Sequence, residues 1–291
     1  VGTSEGLYLS RDGGQTWEGP TLEDYAVWQI RGDTKGVLYA GTNPAELFKS
    51  VDGGRNWKSI ESFREIVDRE GWCIPLDPPI PSQARAIVID SQNDQQIWVG
   101  VEVGGILHTQ NGGESWVVGC PGENPDLHMI FPHPEKPGTL FASTGYGRLD
   151  GIAEMAEGNA GVFRSDNSGA SWEYVWQGIS PRYSRPMCID RSPPFAITVG
   201  SAPTAFSSFK DQGGAEAMLF RSEDDGVTWR SLCDPTHTPS PVNFHGLAAD
   251  PENPGSVFVG TDNGELWSVG SNCQWELLVD HLPTVLSILP S

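Results

Sequence analysis

The chain repeats one eight-residue pattern five times, and this repetition constrains its fold more than any other feature. The pattern is Ser or Thr, any residue, Asp or Asn, any residue, Gly, two further residues and Trp, and each copy is called a box below. A shortened sixth copy ends at Trp275, and the five full copies span 10–17, 50–57, 109–116, 165–172 and 222–229. This recurrence predicts an architecture in which each repeat is one supersecondary unit.

Each box has the composition of a tight turn between two strands. An apolar run precedes every copy, as in 7–9, 47–48 and 106–107, which predicts a strand entering a hairpin. The Asp or Asn side chain is expected to accept hydrogen bonds from turn amides, the Gly to adopt positive φ, and the Trp to pack between sheets. The box carboxylates are therefore predicted to be structural rather than catalytic. They belong to Asp12, Asp52 and Asp224.

The boxes resemble the Asp-box, or BNR, repeat. Over nearly its whole length the chain is similar to the Asp-box β-propellers, a set that includes sialidases and sialidase-like bacterial proteins. The resemblance implies an all-β propeller fold. It does not imply an enzyme, because the box lies on the turn between the third and fourth strands, away from the binding face of that family.

Placing strands around the boxes predicts six blades of four antiparallel strands in a single domain, residues 1–291. The first blade lacks an innermost strand, and residues 284–289 are expected to supply it by pairing with the N-terminal blade. This closure leaves no open sheet edge. The predicted blades are 1–24 with 284–291, 25–80, 81–124, 125–182, 183–240 and 241–283.

Composition excludes several classes of partner. The 38 acidic residues outnumber the 18 basic ones, giving a formal net charge of −20, which opposes binding to nucleic acid or to an anionic membrane surface. No apolar run is long enough to insert into a membrane, and no Asn-x-Ser/Thr sequon is present. We expect a monomer without a cofactor, with the cytoplasm favoured over secretion. The five cysteines form no CxxC pair, and Cys73 and Cys120 are either free thiols or a pair.

The longest loops are predicted to emerge on one face. They are linkers entering innermost strands, at 58–84, 173–186 and 230–243, and turns after second strands, at 145–160 and 202–217. Loops on a rigid scaffold usually carry binding function. The chain is therefore predicted to hold its ligand on this loop-rich face.

One residue per blade is predicted to reach the mouth of the channel on that face. Arg offers a bidentate fork, His a titratable proton and Trp a stacking surface, a combination that suits a small anionic or sugar-like molecule. A protein partner is the open alternative, and packing between blades is the alternative role for each side chain. The predicted ligand-binding residues are Trp28, Arg85, His128, Arg185 and His245, and Leu286 occupies the sixth position.

A binding module is the leading functional hypothesis, and two enzyme classes stay open. Sialidases, which resemble the chain in fold, clamp a carboxylate with three Arg. Here only Arg85 and Arg185 take ring positions, Arg148 or Arg182 would be the third, and the Arg-Ile-Pro signature is absent. A sialidase-like glycoside hydrolase and a polysaccharide lyase with a His base are the alternatives. The catalytic candidates are His128, His245, Glu102 and Tyr146.

A metal site is not predicted. His128 and His245 are able to share an ion with Glu102 or Asp126 only if the fold brings them together, because no spacing typical of metal ligands occurs among them.

Overall fold

The computed structural model describes residues 1–145, 159–205, 207–210, 212–232 and 234–290. These residues form 25 strands, one α-helix and one short 3-10 helix, which confirms the predicted all-β class. No helix in the described part of the chain is long and apolar enough to cross a membrane. Residues 1–130 form one compact unit, and the described residues from 131 onward form a second.

The first unit contains three antiparallel sheets, ordered in space as in sequence. Its first sheet has three strands, β1 (Gly2–Thr3), β2 (Gly6–Leu9) and β3 (Glu18–Thr21). The second has β4 (Ala26–Gly32), β5 (Leu38–Asn43), β6 (Leu47–Ser50) and β7 (Lys58–Ser59). The third has β10 (Gln83–Ile89), β11 (Ile97–Glu102), β12 (Gly105–Thr109) and β13 (Val117–Gly119).

An insertion between the second and third sheets contains the helix α1 (Glu61–Glu70) and a hairpin of β8 (Cys73–Ile74) and β9 (Ile80–Pro81). The sequence analysis treated this stretch only as a long linker. Phe63 and Ile66 lie one turn apart and are the buried residues of α1, and Gly71 ends the helix in the left-handed conformation with φ 63°. Cys73 and Cys120 are free thiols.

Three further sheets follow, each with four strands in sequence order. The fourth has β14 (Leu127–Pro132), β15 (Leu140–Thr144), β16 (Gly161–Ser165) and β17 (Glu173–Tyr174). The fifth has β18 (Tyr183–Ile189), β19 (Ile197–Ala202), β20 (Met218–Ser222) and β21 (Arg230–Ser231). The sixth has β22 (Phe244–Ala249), β23 (Val257–Thr261), β24 (Leu266–Val269) and β25 (Trp275–Val279).

The second strand of a sheet is its most buried part. In β11, Ile97 to Val101 are all buried, so both faces of the strand are covered and its sequence is a continuous apolar run rather than an alternating one. Val99 packs in one cluster with Tyr39 and Leu47 of the second sheet. The stacking of sheets within the first unit therefore follows directly from these apolar runs.

The boxes form the predicted turns. In the first copy, Asp12 Oδ1 accepts the amides of Gln15 and Thr16 at 3.0 and 2.9 Å, and Ser10 Oγ accepts the amide of Gly14 at 2.7 Å. The hydrogen bond from the Thr16 hydroxyl, followed by its amide, lowers the pKa of Asp12 to about 2. This confirms that the carboxylate is a structural acceptor. Asn111 and Asn167 accept the equivalent amides in the third and fourth copies.

The predicted closing strand is not confirmed. Residues 280–290 are described and contain no strand, and the first sheet has only β1, β2 and β3. The amides of Leu282 and Val285 instead donate to the carbonyls of Gly264 and Thr261 in the sixth sheet, each at 3.0 Å. The terminal segment therefore makes these backbone hydrogen bonds within its own unit.

Candidate functional site

A repeated irregularity places the candidate residues in their strands. The pairing of β4, β10, β18 and β22 with their neighbours shifts register near the start of each strand, at Val27/Gln29, Ala84/Ala86, Ser184/Met187 and Phe244/Gly246. Such bulges redirect side chains and are common beside functional sites. The shifts include the predicted ligand-binding residues Trp28, Arg85, Arg185 and His245.

Most of the predicted ligand-binding residues stand next to a similar contact between successive sheets. For all of these residues except Arg185, the preceding residue packs against a glycine of an earlier sheet, where no Cβ blocks the approach. At Gly41, for example, an added Cβ would lie 2.5 Å from the carbonyl oxygen of Ala84. The pairs are Gly2 with Val27, Gly41 with Ala84, Gly100 with Leu127, Gly200 with Phe244, and Gly260 with Val285.

Four side chains of the first unit form a polar cluster. Arg85 Nη1 donates to Glu102 Oε2 at 2.5 Å, and His128 Nε2 lies 3.2 Å from Asp126 Oδ1 and 3.8 Å from Glu102 Oε1. The His128 side chain is fully buried, and 10 to 17% of each of the other three side chains is exposed. We call Arg85, Glu102, Asp126 and His128 the first-unit cluster.

Strand ends explain how the first-unit cluster is assembled. Arg85 lies in β10, Glu102 ends the neighbouring strand β11, and Glu102 also makes an isolated antiparallel bridge to Asp126. Asp126 directly precedes β14, which carries His128. Two adjacent sheets therefore bring the four polar residues to one place within the same unit.

An exposed aromatic ring borders the cluster. The guanidinium carbon of Arg85 lies 4.6 Å from the ring centroid of Trp28, a cation–π distance, and 43% of Trp28 is exposed. The arrangement combines an accessible aromatic surface with hydrogen-bonding groups of both charges. A ligand with apolar faces and hydroxyl groups matches this combination.

The other two candidate residues meet in the second unit. Arg185 Nη1 lies 3.4 Å from His245 Nδ1, and Arg185 Nη2 lies 3.3 Å from the hydroxyl of Tyr183 and 3.4 Å from the carbonyl of Ala205. A small cleft beside them is lined by Tyr183, Arg185, Ser201 and Asn243. We call Tyr183, Arg185 and His245 the second-unit cluster, which combines a cationic guanidinium with aromatic rings.

An acid lies on the loop beside that cleft. Asp262 Oδ1 accepts the amide of Asn243 at 3.0 Å, and burial raises the pKa of Asp262 above its ordinary value. The carboxyl group is therefore easier to protonate than an exposed one.

The sequence prediction and the structure agree only in part on the site. Trp28, Arg85, Glu102 and His128 come together in the first unit, and Arg185 and His245 in the second. Tyr146 and Arg148 lie outside the described residues. Arg182 contacts Tyr174 at 3.2 Å and stacks on Trp176 at 4.0 Å.

Asp126 and Tyr183 belong to the two clusters, but the sequence did not predict either of them as a ligand-binding residue. Asp126 was considered only as a metal ligand, and Tyr183 not at all. Both stand two residues before an aligned position, at His128 and Arg185, so they share a strand face with it. This spacing of two residues was the sequence signal that could have identified Asp126 and Tyr183.

Comparison with known proteins agrees with the repeat analysis. The family model of the BNR/Asp-box repeat matches residues 8–18. An oligoxyloglucan-reducing end-specific xyloglucanase of Emericella nidulans is 24% identical over 228 residues, which cover 67% of this chain and 25% of the relative. The chain spans about a quarter of the length of the curated xyloglucanases it matches.

Solved structures show the same kind of fold at low identity. The GH74 enzyme of Niastella koreensis aligns with a TM-score of 0.68 at 15% identity, covering 95% of this chain and 42% of that one. A structure of YCF48 bound to D1 peptide aligns with a TM-score of 0.51 at 16% identity, covering 87% and 68%. These likenesses concern the fold alone.

Proposed function

We propose that this chain, which carries BNR/Asp-box repeats and resembles the Asp-box β-propellers, binds a glycan at Trp28 and the first-unit cluster. The observation that carries the proposal is the accessible Trp28 ring beside a partly exposed Arg85–Glu102 ion pair. Arg85 stacks on the indole, and the exposed part of the ring would be the stacking surface for a sugar ring. The charged groups would then hydrogen-bond the sugar hydroxyls.

The balance of charges favours a neutral glycan over a strongly anionic one at this site. Glu102 and Asp126 carry two negative charges, and the positive charge of Arg85 is already paired with Glu102. A carboxylate ligand would meet unfavourable Coulomb interaction at such short range. The second-unit cluster, with Arg185 and Tyr183, is the better candidate for an anionic substituent.

The xyloglucanase relatives support xyloglucan as the glycan class. The chain corresponds to only part of those proteins. We therefore propose that it binds the glycan, and we do not assign it their whole activity.

Glycoside hydrolysis is the second candidate. Ligand atoms of Glu102, Asp126 and His128 all lie within 4.8 Å of one another, so the two carboxylates are close. Retaining hydrolases place their carboxyl groups about 5 to 5.5 Å apart, and inverting ones about 6.5 to 9.5 Å. The spacing is therefore closer to the retaining arrangement. Glu102, which accepts a hydrogen bond from Arg85, would be the nucleophile, and Asp126 would be the acid.

A glycan panel tests both candidates. We would titrate the protein with xyloglucan, mixed-linkage glucan and uronate oligosaccharides and assay each for hydrolysis. Binding of a neutral β-glucan without turnover supports the binding module, and turnover that is lost in Glu102→Gln with binding retained supports the hydrolase. Binding to none of them, or undiminished binding in Trp28→Ala, contradicts both. A peptide ligand, as in the YCF48 structure, would then be the alternative.

We also propose that the six sheets are the blades of one propeller domain. Val285 packs on Gly260 as Leu127 packs on Gly100, which supports the proposal that the terminal segment would complete the first blade. Deletion of residues 284–291 should then reduce the hydrogen-exchange protection of Gly6–Leu9. Unchanged protection there would contradict the closure.

A further inference from the structure

We propose that Glu102, Asp126 and His128 bind a divalent transition-metal ion of the zinc or manganese class. One imidazole nitrogen and one oxygen from each carboxylate lie within 4.8 Å of one another. The site shares its residues with the proposed glycan site, but the inference does not rest on glycan binding, because the ion alone is the ligand.

The spacing of the three groups suits an ion in their midst. Zinc bonds of about 2.0 to 2.2 Å in tetrahedral geometry place neighbouring ligand atoms about 3.4 Å apart. His128 Nε2 is 3.2 Å from Asp126 Oδ1 and 3.8 Å from Glu102 Oε1, one value on either side of that distance. Shifts of a few tenths of an ångström would bring His128 Nε2 to the required separation from each carboxylate oxygen, and the two carboxylate oxygens lie within 4.8 Å of each other.

The two carboxylate oxygens lie at different distances from His128 Nε2. A proton on His128 Nε2 accounts for the 3.2 Å approach of Asp126. The 3.8 Å separation from Glu102 is too long for a hydrogen bond, yet that oxygen is close to the same nitrogen. A shared ion accounts for both carboxylate oxygens lying close to one imidazole nitrogen.

The two oxygens of Glu102 have different neighbours, as expected of a ligand with outer support. Oε2 accepts from Arg85, and Oε1 is the oxygen nearer to His128. Outer partners of this kind orient a ligand, and their loss typically weakens metal binding about 10- to 100-fold. Arg85 is therefore assigned as a positioning residue for Glu102.

The charge and ligand types indicate which ion fits. Two carboxylates and one arginine leave a net charge of about −1 on the cluster, which a divalent cation offsets. An imidazole with two carboxylates suits zinc or manganese, whereas calcium prefers six to eight oxygen ligands. The buried His128 would bind as the neutral imidazole through Nε2.

Calorimetric titration of the chelator-stripped protein with Zn²⁺, in the absence of glycan, tests the proposal. We expect one site, weakened at least about tenfold by Glu102→Gln, by Asp126→Asn and by Arg85→Met. The matched control is His281→Asn, because His281 and Asp280 form an exposed pair at 3.5 Å. This control should bind Zn²⁺ as the wild type does.

Melting temperatures measured in chelator show whether each variant is folded. If a variant fails to fold, histidine NMR of the wild type provides the test, because Zn²⁺ should shift the imidazole signals of His128 and leave those of His281 in place. Absence of Zn²⁺ binding to the wild type, or loss of binding only in His281→Asn, would overturn the proposal. The glycan titration is carried out in chelator, so it tests glycan binding independently of the result with Zn²⁺.

Discussion

The guanidinium of Arg85 lies 4.6 Å from the ring centroid of Trp28, although 57 residues separate the two in sequence. Trp28 follows the buried residue Val27, and Arg85 follows the buried residue Ala84. Val27 and Ala84 each pack on a glycine of the preceding sheet. The same inter-sheet contact is thus made twice, and it brings two aligned side chains from neighbouring sheets together. Trp28 and Arg85 are therefore adjacent because neighbouring repeats make the same contact.

The buried ion pair of Arg221 is expected to contribute strongly to stability. Arg221 Nη2 donates to Asp190 Oδ2 at 3.1 Å, and both side chains are almost fully buried. Arg221→Met should lower the free energy of unfolding by about 3 to 5 kcal/mol, because it leaves a buried carboxylate without its partner. Urea denaturation measures the loss. Arg230, half-exposed and paired with Glu223 at 3.1 Å, is the control, and Arg230→Met should cost no more than about 1 kcal/mol.

The box serine is predicted to matter most where the turn is buried. In the second copy, Ser50 Oγ accepts the amide of Gly54 at 2.9 Å in a buried position. Ser50→Ala should therefore cost about 1 to 3 kcal/mol, since the amide loses its acceptor. The equivalent bond from Gly14 to Ser10 is exposed, so Ser10→Ala should cost less. Equal losses in thermal denaturation would contradict this explanation.

Stability is expected to fall in mild acid because of His133. Its Nδ1 accepts the amides of Glu135 and Lys136, each at 3.0 Å, which requires that nitrogen to be unprotonated. Burial lowers the pKa of His133, and Asp225 acts in the opposite direction. The unfolded chain therefore binds this proton more tightly, and stability decreases as pH falls below about 6.5.

Asp90 accepts the equivalent amides in the third sheet, so an aspartate is compatible with this turn. His133→Asp should fold and should show a shallower loss of stability between pH 7 and pH 5, measured by urea denaturation at each pH. The half-buried His108, whose pKa is also lowered by desolvation, should supply part of the remaining slope. A variant as acid-sensitive as the wild type would assign the effect to other groups.

Close packing between sheets predicts unequal effects of two glycine substitutions. A Cβ at Gly41 would lie 2.5 Å from the carbonyl oxygen of Ala84, a backbone atom that has no freedom to move aside. Gly41→Ala should therefore destabilise the protein markedly. At Gly32 the nearest atom is a terminal methyl of Leu38 at 3.2 Å, so Gly32→Ala should be tolerated. Melting temperatures of the two variants provide the comparison.

The features that repeat were predictable from the sequence, and those that occur once were not. The boxes specified their own turns, and the alignment of first strands assigned equivalent positions to Trp28 and Arg85, which are in contact. Helix α1 was missed because it lies in an insertion with no second copy to align. The partnership of Arg85 with Glu102 was missed because it joins two adjacent strands through side chains, which no repeat pattern encodes.

The terminal segment shows a different limit. Its apolar residues predicted a strand, but Val285 packs on Gly260 and donates its amide to Thr261 without entering a described sheet. Hydrophobic pattern identifies a buried stretch and does not decide which backbone groups pair with it.

Titration of the best-binding glycan into three proteins tests the central claim most directly. We predict saturable binding by the wild type, at least about tenfold weaker binding by Trp28→Ala as expected for an aromatic anchor, and wild-type affinity for Trp17→Ala, since Trp17 is a similarly exposed tryptophan in a box turn. Equal affinities in all three proteins, or a loss confined to Trp17→Ala, would contradict a glycan site at Trp28.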